Sequence, residues 1–470
     1  MRVKNHKTFF MSRNITRIFR IQALGLFLAL LLAQSVLATD GYFTLGYGAR
    51  SNGMAGAGVA LYGNSLFGAT NPAGMVFLGK TYGISVGMFN PQRAFEVTGA
   101  RSLPLPGMFP PPFGLQPGKT FSGSTFFPMP ALAANFMLGE KSALGFSLYG
   151  NGGMNTDYNA KVFYSPYLDG PVMPGGFNPM SGIEAPTGIN LMQMFGALTF
   201  SHKFSDNFSL GISGIAAWQS FEAKGLQAFA NFGMSSDPAS LTNNGSSTAL
   251  GFGGKIGLLA NIIPQLSVGA TFQTPLYMGA FKEYKGLFAE AGKFNVPANW
   301  TAGLAWKPNE KINLAFDVKQ ILYSKVKSVG NPLDLMALLP MIPDQNGNMI
   351  ANPNYKPLGS DEGSGFGWKD MLVFKMGLEA YIADETQVRL GFSTGNNPVQ
   401  ESQVLFNILA PGVTTQHLTW GFSQYFGKKA FDFAFVYAFN NSVRGANPLD
   451  PGQFITLEMQ QYVLELGFRF

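Results

Sequence analysis

Large apolar side chains alternate with small or polar ones along most of this chain. From Ala430 onward, Phe431, Phe433, Phe435, Tyr437 and Phe439 share one parity, while Asp432, Ala434, Val436, Ala438 and Asn440 share the other. A period of two describes a strand with one greasy face and one small or polar face. The same division occurs at Ile312, Leu314, Phe316 and Val318 against Asn313, Ala315, Asp317 and Lys319, and again at Leu372, Phe374, Met376 and Leu378 against Val373, Lys375, Gly377 and Glu379. Fourteen such segments are predicted, centred near Ser85, Ala134, Phe146, Gly196, Ser213, Lys255, Ala270, Gly303, Phe316, Met376, Leu390, Gly421, Phe435 and Glu465.

The connections separate this pattern from a soluble sheet. Gly139-Glu140-Lys141, Ser205-Asp206-Asn207, Ile263-Pro264-Gln265, 307–310, Ala383-Asp384-Glu385 and Gly427-Lys428-Lys429 are short turns. The intervening connections, notably 90–121, 151–188, 330–367 and 440–459, are long and rich in Pro, Gly and Asn. An even number of strands with tight turns at one end and long loops at the other is the layout of an outer-membrane barrel. The expected fold is therefore all-β: a 14-stranded antiparallel transmembrane barrel spanning 80–470.

Charge supports it. Lys255, Asp317, Lys319, Lys375, Glu379, Arg389, Asp432, Glu465 and Arg469 all fall on the parity opposite the large apolar residues. A lipid-facing Arg or Lys at the bilayer midplane would cost roughly 2–4 kcal/mol, so this segregation is enforced by energy. Only 12% of the 470 residues are charged, against roughly 25% in soluble domains. The formal charge of +6 resides in the leader: Arg2, Lys4, Lys7, Arg13, Arg17 and Arg20 lie within residues 1–38, and the remainder carries 26 basic against 26 acidic residues. A chain so balanced lacks the clustered cationic surface that nucleic-acid binding requires. The basic stretch, the apolar run 23–33 and Val36-Leu37-Ala38 have the form of a signal peptide over 1–38. Cysteine is absent, which excludes disulfides and thiol chemistry. The three histidines are too scattered to suggest a metal site by spacing, and no cofactor is implied.

Residues 39–79 differ in kind, being rich in glycine and alanine without sustained alternation. Such a stretch cannot build a core, but it can pack closely inside something else. It closes on Asn71-Pro72-Ala73-Gly74 just before the first strand. At these residues, and at 145–158 around Gly150-Asn151-Gly152-Gly153, the sequence resembles the long-chain fatty-acid transporter (FadL) family of outer-membrane proteins, which also includes aromatic-hydrocarbon transporters. The resemblance implies that 39–79 form a hatch plugging the barrel lumen, and that the third strand breaks from regular pairing to leave a gap in the wall. Where the family has Pro-Phe-Gly at that break, this chain has Asn151-Gly152-Gly153. It further implies passive transport: hydrophobic substrate caught among the outer loops would pass a pocket near the hatch and leave sideways into the membrane.

Two loops offer an apolar lining, one with Leu103, Leu105, Met108, Phe109 and Phe113, the other with Leu335, Met336 and Leu339. They are expected either to capture substrate or to tuck into the barrel mouth as a local core. A carboxylate-bearing substrate would need a cation. Lys224 stands where the family carries basic residues on its fifth strand, and Lys319 has lumen parity; the competing expectation is that they pair with lumen carboxylates such as Glu222 and Asp317. The final segment, ending at Phe470, resembles the signal read by the barrel assembly machinery. The remaining expected partners are hydrophobic small molecules, fatty acids or toluene-type hydrocarbons, and outer-membrane lipids, with the protein a monomer. Two rival readings remain. Gly391-Phe392-Ser393-Thr394-Gly395 with His417 would make a lipid hydrolase, but a nucleophile elbow needs a strand, sharp turn and helix. A non-transporting adhesin would need no hatch.

Overall fold

A computed structural model describes residues 40–103, 113–169, 178 and 180–470. The leader 1–38 and the loop residues Leu105, Met108 and Phe109 lie outside them. Fourteen strands form the wall: β1 (Thr81–Thr98), β2 (Phe127–Met137), β3 (Ser142–Tyr158), β4 (Thr187–Ser205), β5 (Phe208–Lys224), β6 (Ser247–Ile263), β7 (Leu266–Gln273), β8 (Asn299–Asn309), β9 (Ile312–Ile321), β10 (Met371–Ala383), β11 (Thr386–Gly395), β12 (Gln416–Phe426), β13 (Lys429–Asn447) and β14 (Asp450–Arg469). Each pairs antiparallel with its sequence neighbours, and β14 returns to β1 from Gly83↔Arg469 through Thr98↔Phe454, so the sheet closes. Two short strands, Gly118–Phe121 and Tyr277–Met278, attach to the upper parts of β1 and β6.

Closure leaves no free edge around most of the wall, which is the condition for strands to lie in hydrocarbon. The outer face carries Ile84, Val86, Leu198, Ile212, Ile256 and Leu390, all exposed. Facing inward and buried are Asp317, Lys375, Glu379, Arg389, Asp432 and Glu465. The structure is thus a transmembrane barrel with its charges inside. Several boundaries differ from expectation: β1 runs on to Thr98 and β3 to Tyr158, into connections expected from 90 and 151, and the change is most complete in the last connection. Residues 440–459 are not a long loop: β13 and β14 continue outward as a hairpin, with Asn447 paired to Asp450 and a register shift between Ala438 and Asn441. Apolar Ile455 and Leu457, both fully buried, face the loop core there, so packing extends the ladder past the turn-forming residues.

The leading segment lies inside the barrel. Asn71 caps the short 3-10 turn Pro72–Phe77, its Oδ1 accepting from the Ala73 amide at 3.0 Å, with Pro72 at the first helical position. Its Nδ2 donates to Val59 O (2.8 Å) within the segment and to Leu258 O (3.0 Å) in β6. Ser201 of β4 and Ser209 of β5 both donate to Ala73 O, at 2.9 and 2.7 Å. This motif therefore ties the hatch to three adjacent strands. The wall makes room for it: a Cβ on Gly211 would stand 2.3 Å from the Pro72 carbonyl carbon.

Candidate functional site

Two buried charge clusters seat the hatch. Asp40 accepts from Lys319 at 2.7 Å and from Lys375 at 2.9 Å, and its main-chain oxygen accepts from the Tyr323 hydroxyl. Burial works to raise the pKa of Asp40, but the two ammonium groups outweigh it and hold the carboxyl below its ordinary value. Arg50 of the hatch forms a fork onto Glu379, with both N–O distances 2.9 Å, and Arg389 donates to the same carboxylate at 2.7 Å. Asp317 accepts from the Gly58 and Val59 amides at 2.8 and 2.9 Å.

The wall is interrupted between β2 and β3. Their pairing runs from Met137↔Ala143 to Ala131↔Tyr149 and stops, although β2 stays paired with β1 as far as Phe127↔Phe89. The cause can be traced amide by amide. At the hairpin turn the Leu138 amide donates to Ser142 O at 2.8 Å. Since donors alternate sides along a strand, every even-numbered amide of β2 points toward β3. The even positions beyond Leu132 are Pro130 and Pro128, which have no N–H to give. On the opposite strand the register with β4 shifts between Gly150 and Gly152, so Asn151 is an inserted residue that carries β3 out of phase with β2.

Each edge of the gap is satisfied in its own way. The Thr44 amide of the hatch donates to Asn151 O at 2.7 Å, and the Gly153 amide donates to Tyr42 O at 3.1 Å. The hatch thus covers the edge of β3 from inside, while the prolines leave the edge of β2 without those donors. Above the gap, the Gly123 amide bonds Asp157 O at 2.7 Å and closes the wall again. Gly152 adopts φ +137, and a Cβ there would lie 1.9 Å from Tyr42 O. Gly152→Ala is accordingly expected to strip the hatch from β3 locally, exposing the Thr44 and Gly153 amides to hydrogen–deuterium exchange; unchanged protection of both would refute that docking.

A cavity of about 230 Å³ opens at this gap. Its inner lining includes Tyr42, Phe43, His417, Val436 and Gln461, and its lining also reaches Met192 and Trp218, which are exposed on the outer face of the barrel. Residues from both faces of the wall therefore border the cavity at the gap. Phe89, Phe127, Met129, Met154 and Trp368 make it chiefly apolar.

The residues singled out from sequence are distributed unequally around this space. Gly150, Gly152 and Gly153 line it directly, and Asn151 packs beside it with its Nδ2 bonded to Gln193 at 2.9 Å. Lys319 pairs with Asp40 rather than with Asp317, whose Oδ2 accepts from two hatch amides. Lys224 pairs with Glu222 at 3.3 Å on a half-exposed strand end and does not line the cavity. Among the loop residues, Leu103 and Met336 are exposed, Phe113 and Leu339 are buried in the loop core, and Leu335 packs against it. Ser393 Oγ lies 3.0 Å from His417 Nδ1, but the serine is a paired residue of β11 with no elbow, and His417 Nε2 faces the Gln461 carboxamide at 3.2 Å instead of a carboxylate. Sequence reasoning missed Pro128, Pro130, Arg93 and the Tyr42–Thr44 edge. Two prolines at alternate positions of a predicted strand were the signal available for the first pair.

A closed fourteen-stranded barrel stoppered by its own N-terminal segment defines the class: its fold is that of the FadL-type transport barrels. The toluene transporter TodX of Pseudomonas putida is 17% identical, with 90% of this chain and 98% of that one covered at a TM-score of 0.59. A FadL homologue of Pseudomonas aeruginosa is 15% identical over 92% and 99% of the two chains, also at 0.59. The toluene transporter TbuX of Ralstonia pickettii is 18% identical over 91% and 99%, at 0.55. No family model and no curated protein matches the sequence.

Proposed function

We propose that this protein is a passive outer-membrane transporter of hydrophobic compounds, with long-chain fatty acids as the primary substrate, and that it releases them sideways into the bilayer. The observation that carries this reading is the chiefly apolar cavity at the break between β2 and β3, bordered by residues of both faces of the wall. An apolar solute gains nothing from a water-filled pore, whereas a greasy path from loops to acyl chains avoids full hydration. The hatch residues Asn71 to Gly74 would keep the barrel closed to polar solutes, and Gly150 to Gly153 would frame the exit. Exposed Leu103 and Met336 would make first contact with substrate. Phe470, paired to Tyr82 at the barrel seam, would be the end recognised during membrane assembly. The toluene transporters of the same fold favour a second reading, uptake of aromatic hydrocarbons by the same route.

The test is uptake of a labelled fatty acid and a labelled alkylbenzene by cells with and without the gene. Loss of fatty-acid uptake on deletion is expected, loss confined to the alkylbenzene would select the second reading, and no change in either would reject transport.

A further inference from the structure

The cavity is lined by two charged side chains, and only one of them is balanced. Asp40 is already matched by Lys319 and Lys375. Arg93, on the lumen face of β1, is 5% exposed and forms no ion pair among the described residues. The undescribed stretches 1–39, 104–112 and 170–177 contain no acidic residue that could supply one. Its Nη2 donates to Ser124 O at 2.8 Å and its guanidinium lies 5.7 Å from the Phe127 ring, yet the buried Nε has no acceptor among the described residues. A guanidinium removed from water without a counter-charge is costly, and such groups within a membrane mark binding sites.

We infer that Arg93 is the docking point for the carboxylate of an amphipathic ligand whose apolar tail fills the cavity. A planar guanidinium with an unspent N–H suits a carboxylate, and the anion would supply the charge that the protein withholds. The placement is suited to release: Arg93 holds the Ser122–Ser124 turn at the upper rim of the gap, since the Ser122 amide also donates to Arg93 O at 2.9 Å. A head group bound there leaves its tail among Phe89, Phe127, Met129 and Met154, facing the opening. Neither Lys224 nor Lys319 offers this, because each is already paired. The assignment rests on the transport reading and narrows it to carboxylates.

The experiment titrates the full-length protein in phospholipid nanodiscs with tetradecanoate, with its methyl ester and with an alkylbenzene. The native protein is expected to prefer the carboxylate over the ester by roughly tenfold to a hundredfold, the range of a charge-assisted hydrogen bond. Arg93→Gln should collapse that ratio, and Arg93→Lys, which keeps the charge but not the fork, should restore part of it. Equal weakening of carboxylate and ester in Arg93→Gln would mean that the residue only braces the turn, and would overturn the assignment. So would a preference that survives the substitution, or native protein that binds both ligands equally; in that last case the transport reading still stands. Binding of none of the three ligands would overturn both.

Discussion

Replacing Pro128 and Pro130 together by threonine is expected to reduce uptake to background while the barrel remains folded. The substitution restores two N–H groups on the edge of β2 that faces β3, and the ladder that now ends at Ala131↔Tyr149 acquires the donors to continue toward Gly150. Threonine also favours the strand, where proline cannot contribute to the ladder. In hydrocarbon the drive to pair is strong, because each backbone group left unsatisfied there costs several kcal/mol. Hydrogen–deuterium exchange gives the independent readout: the new amides should be protected and residues 150–153 should change their pattern, whereas rapid exchange at 128 and 130 with normal uptake would show that the prolines do not hold the wall open.

The second large effect is on stability. Glu379→Gln should lower stability by about 3–5 kcal/mol, the penalty for leaving buried charge unpaired. Arg50 and Arg389 both direct N–H groups at this one carboxylate, and a neutral amide would leave two guanidinium groups confronting each other in the lumen. Asn313 Nδ2, which donates to the same carboxylate at 3.0 Å, would lose a charged acceptor as well. The thermal transition of the detergent-solubilised protein, followed by its shift in gel mobility on heating, measures the change. An unaltered transition would sink the idea that this cluster seats the hatch. Replacing Arg50, Glu379 and Arg389 together by apolar residues of similar size should cost much less than the single substitution, because no lone charge remains.

Strand number, parity and the inward placement of charge were legible because a two-residue period has only one solution in lipid. Asp317, Lys375 and Glu379 had to share a side with Ala315 and Gly377, and they do. Loop lengths were less legible. Residues 440–459 look like a loop by their Asn, Gly and Pro content, yet the extended hairpin is held by contacts with other loops that a linear pattern cannot express. The site was least visible. That Lys319 would meet Asp40, or that Thr44 would cover Asn151, depends on how the segment 39–79 folds back within a cylinder; the hydrogen bonds involved join residues 279 and 107 positions apart. Arg93 carries no sequence signal, since its distinction is the partner it lacks.

The seam between β1 and β14 joins the two ends of the barrel sequence, and the hatch is bonded to its β14 side. Asn52 donates to Glu465, whose other oxygen accepts from Ser85 at 2.6 Å, and Arg469 donates to Gly63 O at 3.0 Å across 406 residues of sequence. Bringing such distant segments together carries the largest chain-entropy cost in the molecule. A stopper already gripping the final strand shortens that search, acting as a mandrel around which the cylinder is wound rather than a cork pushed in afterwards.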